Sequence, residues 1–202
     1  KGIYDAMNKG IKKATGQYIQ FLNASDTIYT RETIKQIVNK IPHNYPDVIY
    51  GNIIIEKSTE YWYMKPGSLE DFENKFPIYH PSTWVKNSLM KKYAFDTTFK
   101  IAADFNILRK LYYSNAIFYY IPLFFTVFEG INGISSTNEE LREKEKRRIL
   151  NSGRRISSRF LDYIVKITQL KYRIMNRLLK NKKNNIKNDI QQDPRIIKII
   201  YK

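Results

Sequence analysis

The sequence predicts an α/β fold with a mixed, mostly parallel central sheet, followed by a basic C-terminal helical region. Three observations support this. First, short apolar runs rich in β-branched and aromatic residues alternate with amphipathic helical stretches through residues 1–137. Second, one such run, Tyr18-Ile19-Gln20-Phe21-Leu22, ends abruptly in Asn23-Ala24-Ser25-Asp26. Small polar residues and a carboxylate at the end of a buried strand are what open α/β sheets gather around their ligands. Third, the charge changes along the chain. Residues 138–202 carry 19 Lys and Arg against 7 Asp and Glu, whereas residues 1–137 carry 16 against 12. That step divides the chain into a domain over 1–137 and a basic helical region over 138–202.

The elements follow in order. Ile3, Ala6, Met7 and Ile11 share one face of a first helix, and Gly16 is placed to end it. The strand Tyr18–Leu22 and its acidic loop come next. Thr30 is placed to cap a helix through Ile41, with Ile34, Ile37, Val38 and Ile41 spaced for the core and Pro42 as the stop. Asp47-Val48-Ile49-Tyr50 reads as a short strand ended by Gly51, and Ile53–Ile55 with Tyr61–Tyr63 as a hairpin. Ser68-Leu69-Glu70-Asp71 has the start of a capping box. Residues 76–84 are expected to be extended, punctuated by Pro77 and Pro81. A helix over Ala102–Tyr112 buries Phe105, Leu108, Leu111 and Tyr112, and a strand over Ala116–Tyr120 precedes Pro122. Beyond Asn138 the pattern is helical and charged, with a break at Asn151-Ser152-Gly153. Apolar residues recur from Ile156 to Leu178 opposite a Lys/Arg face, and residues 181–193 are polar.

Composition removes several chemistries. The chain has no Cys and two His, which excludes disulfides, thiolate metal sites, Cys nucleophiles and His-rich zinc sites. A hydrophobic content of 43% argues for a folded domain. No signal-peptide pattern opens the chain and no apolar run approaches the ~18–20 residues of a membrane span, so a cytoplasmic protein is expected. A net charge of +16, concentrated after residue 138, suits an anionic membrane surface. Specific nucleic-acid binding is not expected, because the aromatics of that region fall on its apolar face instead of interleaving with the basic residues.

The run Gly2-Ile3-Tyr4-Asp5-Ala6-Met7-Asn8-Lys9-Gly10-Ile11, then Ala14-Thr15-Gly16 and the strand to Asp26, resembles the bacterial family 2 glycosyltransferases. Tyr79-His80-Pro81-Ser82-Thr83 and Lys100-Ile101-Ala102-Ala103-Asp104-Phe105 through Arg109 resemble that family's acceptor-side segment, with a weaker echo at Gly133-Ile134-Ser135-Ser136. The resemblance covers residues 1–136. It implies a partial GT-A sandwich and transfer of a sugar from a nucleotide-diphosphate sugar donor, with inversion, to a glycan or lipid-linked acceptor in surface polysaccharide synthesis. It also implies that the strand–helix–strand unit forming the nucleotide-base pocket is missing ahead of Lys1. The chain is therefore expected to be an N-terminally truncated fragment, weak in donor binding and negligible in transfer on its own.

Within that resemblance Asp26 stands where the family holds Mg²⁺ or Mn²⁺. A single carboxylate can serve there, because such cations take only one or two protein carboxylates beside substrate phosphates. Asn23 offers a neutral oxygen to the same cation or its surroundings. Asp104 matches the acid that takes the acceptor's proton. His80, Asn8 and Asp5 match positions that contact or order the donor and acceptor. Each also has a plainer reading: Asp26 as a turn cap, Asp104 as an acid favoured by a helix N-terminus, His80 as a packed histidine, Asn8 and Asp5 as capping residues. Trp62, Tyr63 and Trp84 are either a sugar-stacking platform or buried aromatics. The competing functions are an inactive glycosyltransferase remnant and a basic module on an anionic membrane, peripheral at the inner face of the cell membrane.

Overall fold

The computed structural model describes residues 2–130 and 138–152. The expectations for Gly133–Ser136 and for everything from residue 153 onward lie outside the described residues. The first helix, α1 (Ile3–Lys13), forms where the apolar spacing places it and buries Tyr4, Met7 and Ile11. It leads to β1 (Tyr18–Ile19), β2 (Thr27–Ile28), α2 (Thr33–Val38), β3 (Val48–Glu56) and β4 (Tyr61–Met64). A 3₁₀ turn over Leu69–Glu73 starts at Ser68, whose hydroxyl accepts the Glu70 N–H. A second, His80–Ser82, feeds β5 (Thr83–Lys86) and α3 (Asn87–Tyr93). Then come α4 (Ala103–Tyr113), β6 (Phe118–Glu129) and α5 (Glu139–Ser152).

The six strands make one sheet in the order β1-β5-β3-β6-β2, with β4 added beside β3. The sheet is mixed, as the pattern of elements predicts, but parallel pairing is confined to β3 and β6 among the described residues. This corrects the expectation of a mostly parallel sheet. The helices do separate strands as crossovers would. However, the His80–Ser82 turn returns the chain between β1 and β3 in the opposite direction. The tight turn at Ser25, with φ of 74°, brings β2 back antiparallel to β6.

Two strands run through residues that ordinarily stop them. β3 continues past Gly51 because the Phe125 ring lies across it; a Cβ at this position would meet Phe125 Cε1 at 2.3 Å and the Leu123 carbonyl at 2.7 Å. β6 continues past Pro122 because its register with β3 shifts there, from Tyr50 opposite Tyr120 to Asn52 opposite Phe124. At such a bulge the missing proline N–H is not required by a ladder. β1 is shorter than expected, with only Tyr18 and Ile19 paired. α2 is shorter than the predicted helix, and of its apolar residues Ile37 is fully buried while Ile34 and Val38 remain exposed.

One face of the sheet carries the main core, built from Tyr4, Phe72, Phe105, Leu108, Leu111 and Phe118 among others. A smaller cluster of Ile37, Ile49, Trp84, Ile121 and Phe125 forms separately from it. α5, which the charge step at residue 138 assigns to the basic region, packs into the main core through the fully buried Ile149. No helix among the described residues is long and apolar enough to cross a membrane.

Candidate active site

Asp26 sits half-buried at the end of the loop from β1. Positive φ at Ser25 turns the chain so that the Asp26 carboxylate folds back on its own loop. Oδ2 accepts the Asn23 N–H at 3.1 Å, and Oδ1 accepts the Glu129 N–H, at the end of β6, at 3.3 Å. Burial raises the Asp26 pKa from its ordinary value, and those two backbone N–H groups pull against it. The turn-cap role is therefore real. It leaves oxygen lone pairs over, since Oδ1 and Oδ2 accept these two backbone bonds and a carboxylate can accept about four. Asn23 reaches Asp26 through its backbone N–H.

Asp104 lies in the first turn of α4. Its Oδ1 accepts both the Phe105 N–H at 2.8 Å and the Tyr4 hydroxyl at 3.3 Å. Tyr4 also donates to the Ile101 carbonyl. Burial raises the Asp104 pKa, which makes its carboxylate a stronger base than an exposed Asp; the nearby His80 and the two hydrogen bonds oppose that rise. The same burial, with the Asp104 charge beside it, pushes the Tyr4 phenol far up, so Tyr4 acts as a donor at any ordinary pH.

His80 joins the two acids. Its ring stacks on Phe21 at 6.0 Å between centroids and meets Phe95 edge-on at 6.2 Å. Burial lowers its pKa, while the charges of Asp104 and Asp26 raise it. The imidazole is accordingly neutral at pH 7. Nε2 is enclosed and unpartnered, beside a cavity of only about 10 Å³ lined by Phe21, Phe95 and Met90. That leaves room for at most one water.

The next residue, Pro81, is fixed by two donors: Gln20 Nε2 at 2.6 Å and the Thr126 hydroxyl at 2.8 Å both reach its carbonyl. Gln20 in turn accepts the Trp84 indole N–H at 2.8 Å. The His80 turn is thereby pinned to β6 and to the chain leaving β1.

Asn8 and Asp5 stand apart from this centre. Asn8 exchanges two hydrogen bonds with the backbone of Phe95, both at 2.8 Å, so its amide is committed to holding the ring that packs on His80. Asp5 pairs with Lys9 at 2.9 Å one turn along α1, and that partner lowers its pKa. Trp84 is buried against Tyr18 and Phe125, which corrects its place in a stacking platform, while Trp62 and Tyr63 are exposed on β4. A groove of about 590 Å³ lined by Tyr18, Val38, His43, Tyr45 and Trp84 contains none of the three central residues.

Sequence reasoning did not find Tyr4 or Phe95. Tyr4 is visible as an apolar-face residue of α1, but its contact with Asp104 crosses the molecule and has no local signature.

Among the described residues no cluster of three or more His, Asp and Glu could cage a metal ion. The donor set at Asp26 fits a hard divalent cation that takes most of its ligands from substrate phosphates and water.

Residues 1–113 match the model of Glycosyl transferase family 2. Over 140 residues the chain is 26% identical to a PGL/p-HBAD biosynthesis glycosyltransferase of Mycobacterium bovis (strain BCG / Pasteur 1173P2), and equally to its counterpart in Mycobacterium tuberculosis (strain ATCC 25618 / H37Rv). Those alignments cover 68% of this chain and 54% of each relative, so the chain spans about half their length. Among solved structures, S. aureus TarS overlaps with a TM-score of 0.49 and 16% identity, covering 72% of this chain and 29% of that one. S. aureus TarS 1-349 in complex with UDP overlaps with the same TM-score and 17% identity, covering 74% and 49%. With more than half of its residues matched by the family model, the chain belongs to glycosyl transferase family 2.

Proposed function

We propose that the chain forms the diphosphate and acceptor side of a site that moves a sugar from a nucleotide-diphosphate sugar to a hydroxyl of a glycan or lipid-linked acceptor, with inversion. The observation that carries this reading is that Asp26, in the loop after β1, and Asp104, in the first turn of α4, are both partly enclosed and both act by their charge on His80. One carboxylate faces the donor's phosphates and the other the acceptor.

Asp26 would hold Mg²⁺ or Mn²⁺ together with the donor diphosphate, and the cation would neutralise the leaving group. Asp104 takes the acceptor proton on Oδ2, because Oδ1 is occupied by Tyr4 and Phe105. As that proton leaves, the acceptor oxygen attacks the anomeric carbon and the bond to the diphosphate breaks on the opposite face. His80, neutral and packed against Phe21 and Phe95, feels the charge of both carboxylates.

The exposed Tyr63 and Trp62 of β4 lie outside this centre and carry no step. The basic region after residue 138 supports a place at an anionic membrane surface, where lipid-linked acceptors reside. Flotation with anionic liposomes at low and high salt tests that part. For the reaction, release of nucleoside diphosphate from a panel of UDP- and dTDP-sugars with Mn²⁺, and its loss on chelation, is the test. A panel-wide absence of turnover in the protein would favour the inactive remnant.

A further inference from the structure

Glu145 lies midway along α5 and is 6% exposed. Its carboxylate accepts three successive backbone N–H groups: Lys100 on Oε1 at 2.7 Å, and Ile101 and Ala102 on Oε2 at 2.9 and 3.0 Å. These are the residues that enter α4, one turn ahead of Asp104. α4 has no side-chain cap of its own, since Ala102 stands at its N-cap. These three N–H groups lie ahead of the helix, and the Phe105 N–H of its first turn goes to Asp104 Oδ1, so Glu145 anchors the segment that leads into α4. α5 is held on this segment at further points. Arg148 donates to the Thr98 hydroxyl at 3.0 Å and lies over the Phe99 ring at 4.5 Å, and Arg109 of α4 reaches the Ile149 carbonyl at 3.4 Å.

A buried carboxylate is a costly anchor for a backbone segment, and its position suggests a use. The N-terminus of a helix stabilises nearby anions. An acid in the first turn, as Asp104 is, would ordinarily be made a weaker base by it. Resting on the reading of Asp104 as the base, we propose that Glu145 is a positioning residue for Asp104. It fixes residues 100–102, and with them the Ile101 carbonyl that shares the Tyr4 hydroxyl with Asp104. The ionisable groups around this arrangement are Tyr4 on α1, His80 in its turn with Asp26 also facing it, and Lys100 and Arg148 beside Glu145. Tyr4 and Glu145 act in opposite senses: the phenol favours the Asp104 anion, whereas the Glu145 carboxylate disfavours it.

The experiment is a pH titration of the Asp104 side chain by carboxyl ¹³C NMR in the full chain, in wild type, Glu145→Gln and Arg148→Ala. In Glu145→Gln, Asp104 titrates lower by a few tenths of a pH unit to about one unit, since a buried negative charge bound two to four residues ahead of it is lost. In Arg148→Ala, which loosens α5 without touching the N–H groups of residues 100–102, Asp104 titrates as in wild type. If Glu145→Gln does not fold, Glu145→Asp carries the test. Its shorter side chain withdraws the charge toward α5, away from residues 100–102, and Asp104 must still titrate below wild type. An Asp104 titration unchanged in the Glu145 variants, or moved equally by Arg148→Ala, overturns the proposal. In the turnover assay the acidic limb of kcat/KM moves down with the same variant while the donor KM stays. A wild-type enzyme with no turnover on any donor sugar, beside a shifted Asp104 titration, would sink the base assignment and leave the positioning intact.

Discussion

Tyr4, in the first helix, donates its hydroxyl hydrogen to Oδ1 of Asp104, 100 residues later in the chain, at 3.3 Å. The same hydroxyl also reaches the Ile101 carbonyl, so one phenol ties the loop before α4 to the acid in its first turn. A residue of the N-terminal motif is in this way part of the immediate surroundings of Asp104.

Replacing Tyr4 by Phe keeps the packing and removes both bonds. The Ile101 carbonyl loses its partner, at a cost of about 1–3 kcal/mol of stability. Because the Tyr4 hydrogen bond holds the Asp104 pKa down, its loss moves the acidic limb of the rate to higher pH. Denaturant melts and a pH–rate profile check the two effects. A limb that stays in place would show that the Tyr4 contact does not bear on the base.

Asp104→Asn is expected to melt higher than wild type at pH 7 while losing transfer. Burial raises the folded-state pKa of Asp104 above its ordinary 3.8, so the folded protein holds that proton more tightly than the unfolded chain does. The stability this group contributes is therefore present below about pH 4 and is lost as pH rises through the folded value. Asn carries no charge to desolvate, and its oxygen can still accept from Tyr4 and Phe105. Thermal melts from pH 3 to 8 should show the gap between variant and wild type closing below about pH 4. A variant less stable than wild type at pH 7 would mean that the Asp104 charge is stabilising.

His80→Phe preserves an aromatic ring between Phe21 and Phe95 and removes the enclosed, unpartnered Nε2. The melting temperature should hold or rise. If Nδ1 contacts substrate, turnover falls by about tenfold, the loss of one hydrogen bond. Unchanged turnover would reduce His80 to packing.

Local chemistry made much of this legible. Asp26 stands at a strand end, and the Ser25 turn and the β2 pairing are what such a loop needs. α1 and α4 follow from apolar spacing, because Met7, Ile11, Phe105 and Leu108 all reach the core. What escaped is long-range. Nothing near Gly51 announces the Phe125 ring, so a glycine in a strand reads as a stop. Pro122 reads as a stop for the same reason, its bulge being defined only by β3. Strand direction depends on how the His80 turn returns the chain, which a list of elements does not specify. Ile34 and Val38 fit the helical period, yet the short α2 presents only Ile37 to the sheet. Glu145 sits in a run of charges that looks wholly solvated, and its three backbone partners lie over forty residues upstream.

The central claim is a division of labour: Asp26 serves the donor's diphosphate, Asp104 the acceptor's proton. The most direct measurement is calorimetric titration of UDP-sugar in the presence of Mn²⁺ into wild type, Asp26→Ala and Asp104→Asn, alongside turnover. Asp26→Ala should weaken metal-dependent donor binding by about tenfold or more, as loss of a charged ligand does, whereas Asp104→Asn leaves donor affinity near wild type. Turnover should fall in both, by about 10²–10⁴-fold for the loss of a general base in Asp104→Asn. Donor affinity unchanged in Asp26→Ala, or lost equally in Asp104→Asn, would contradict the account.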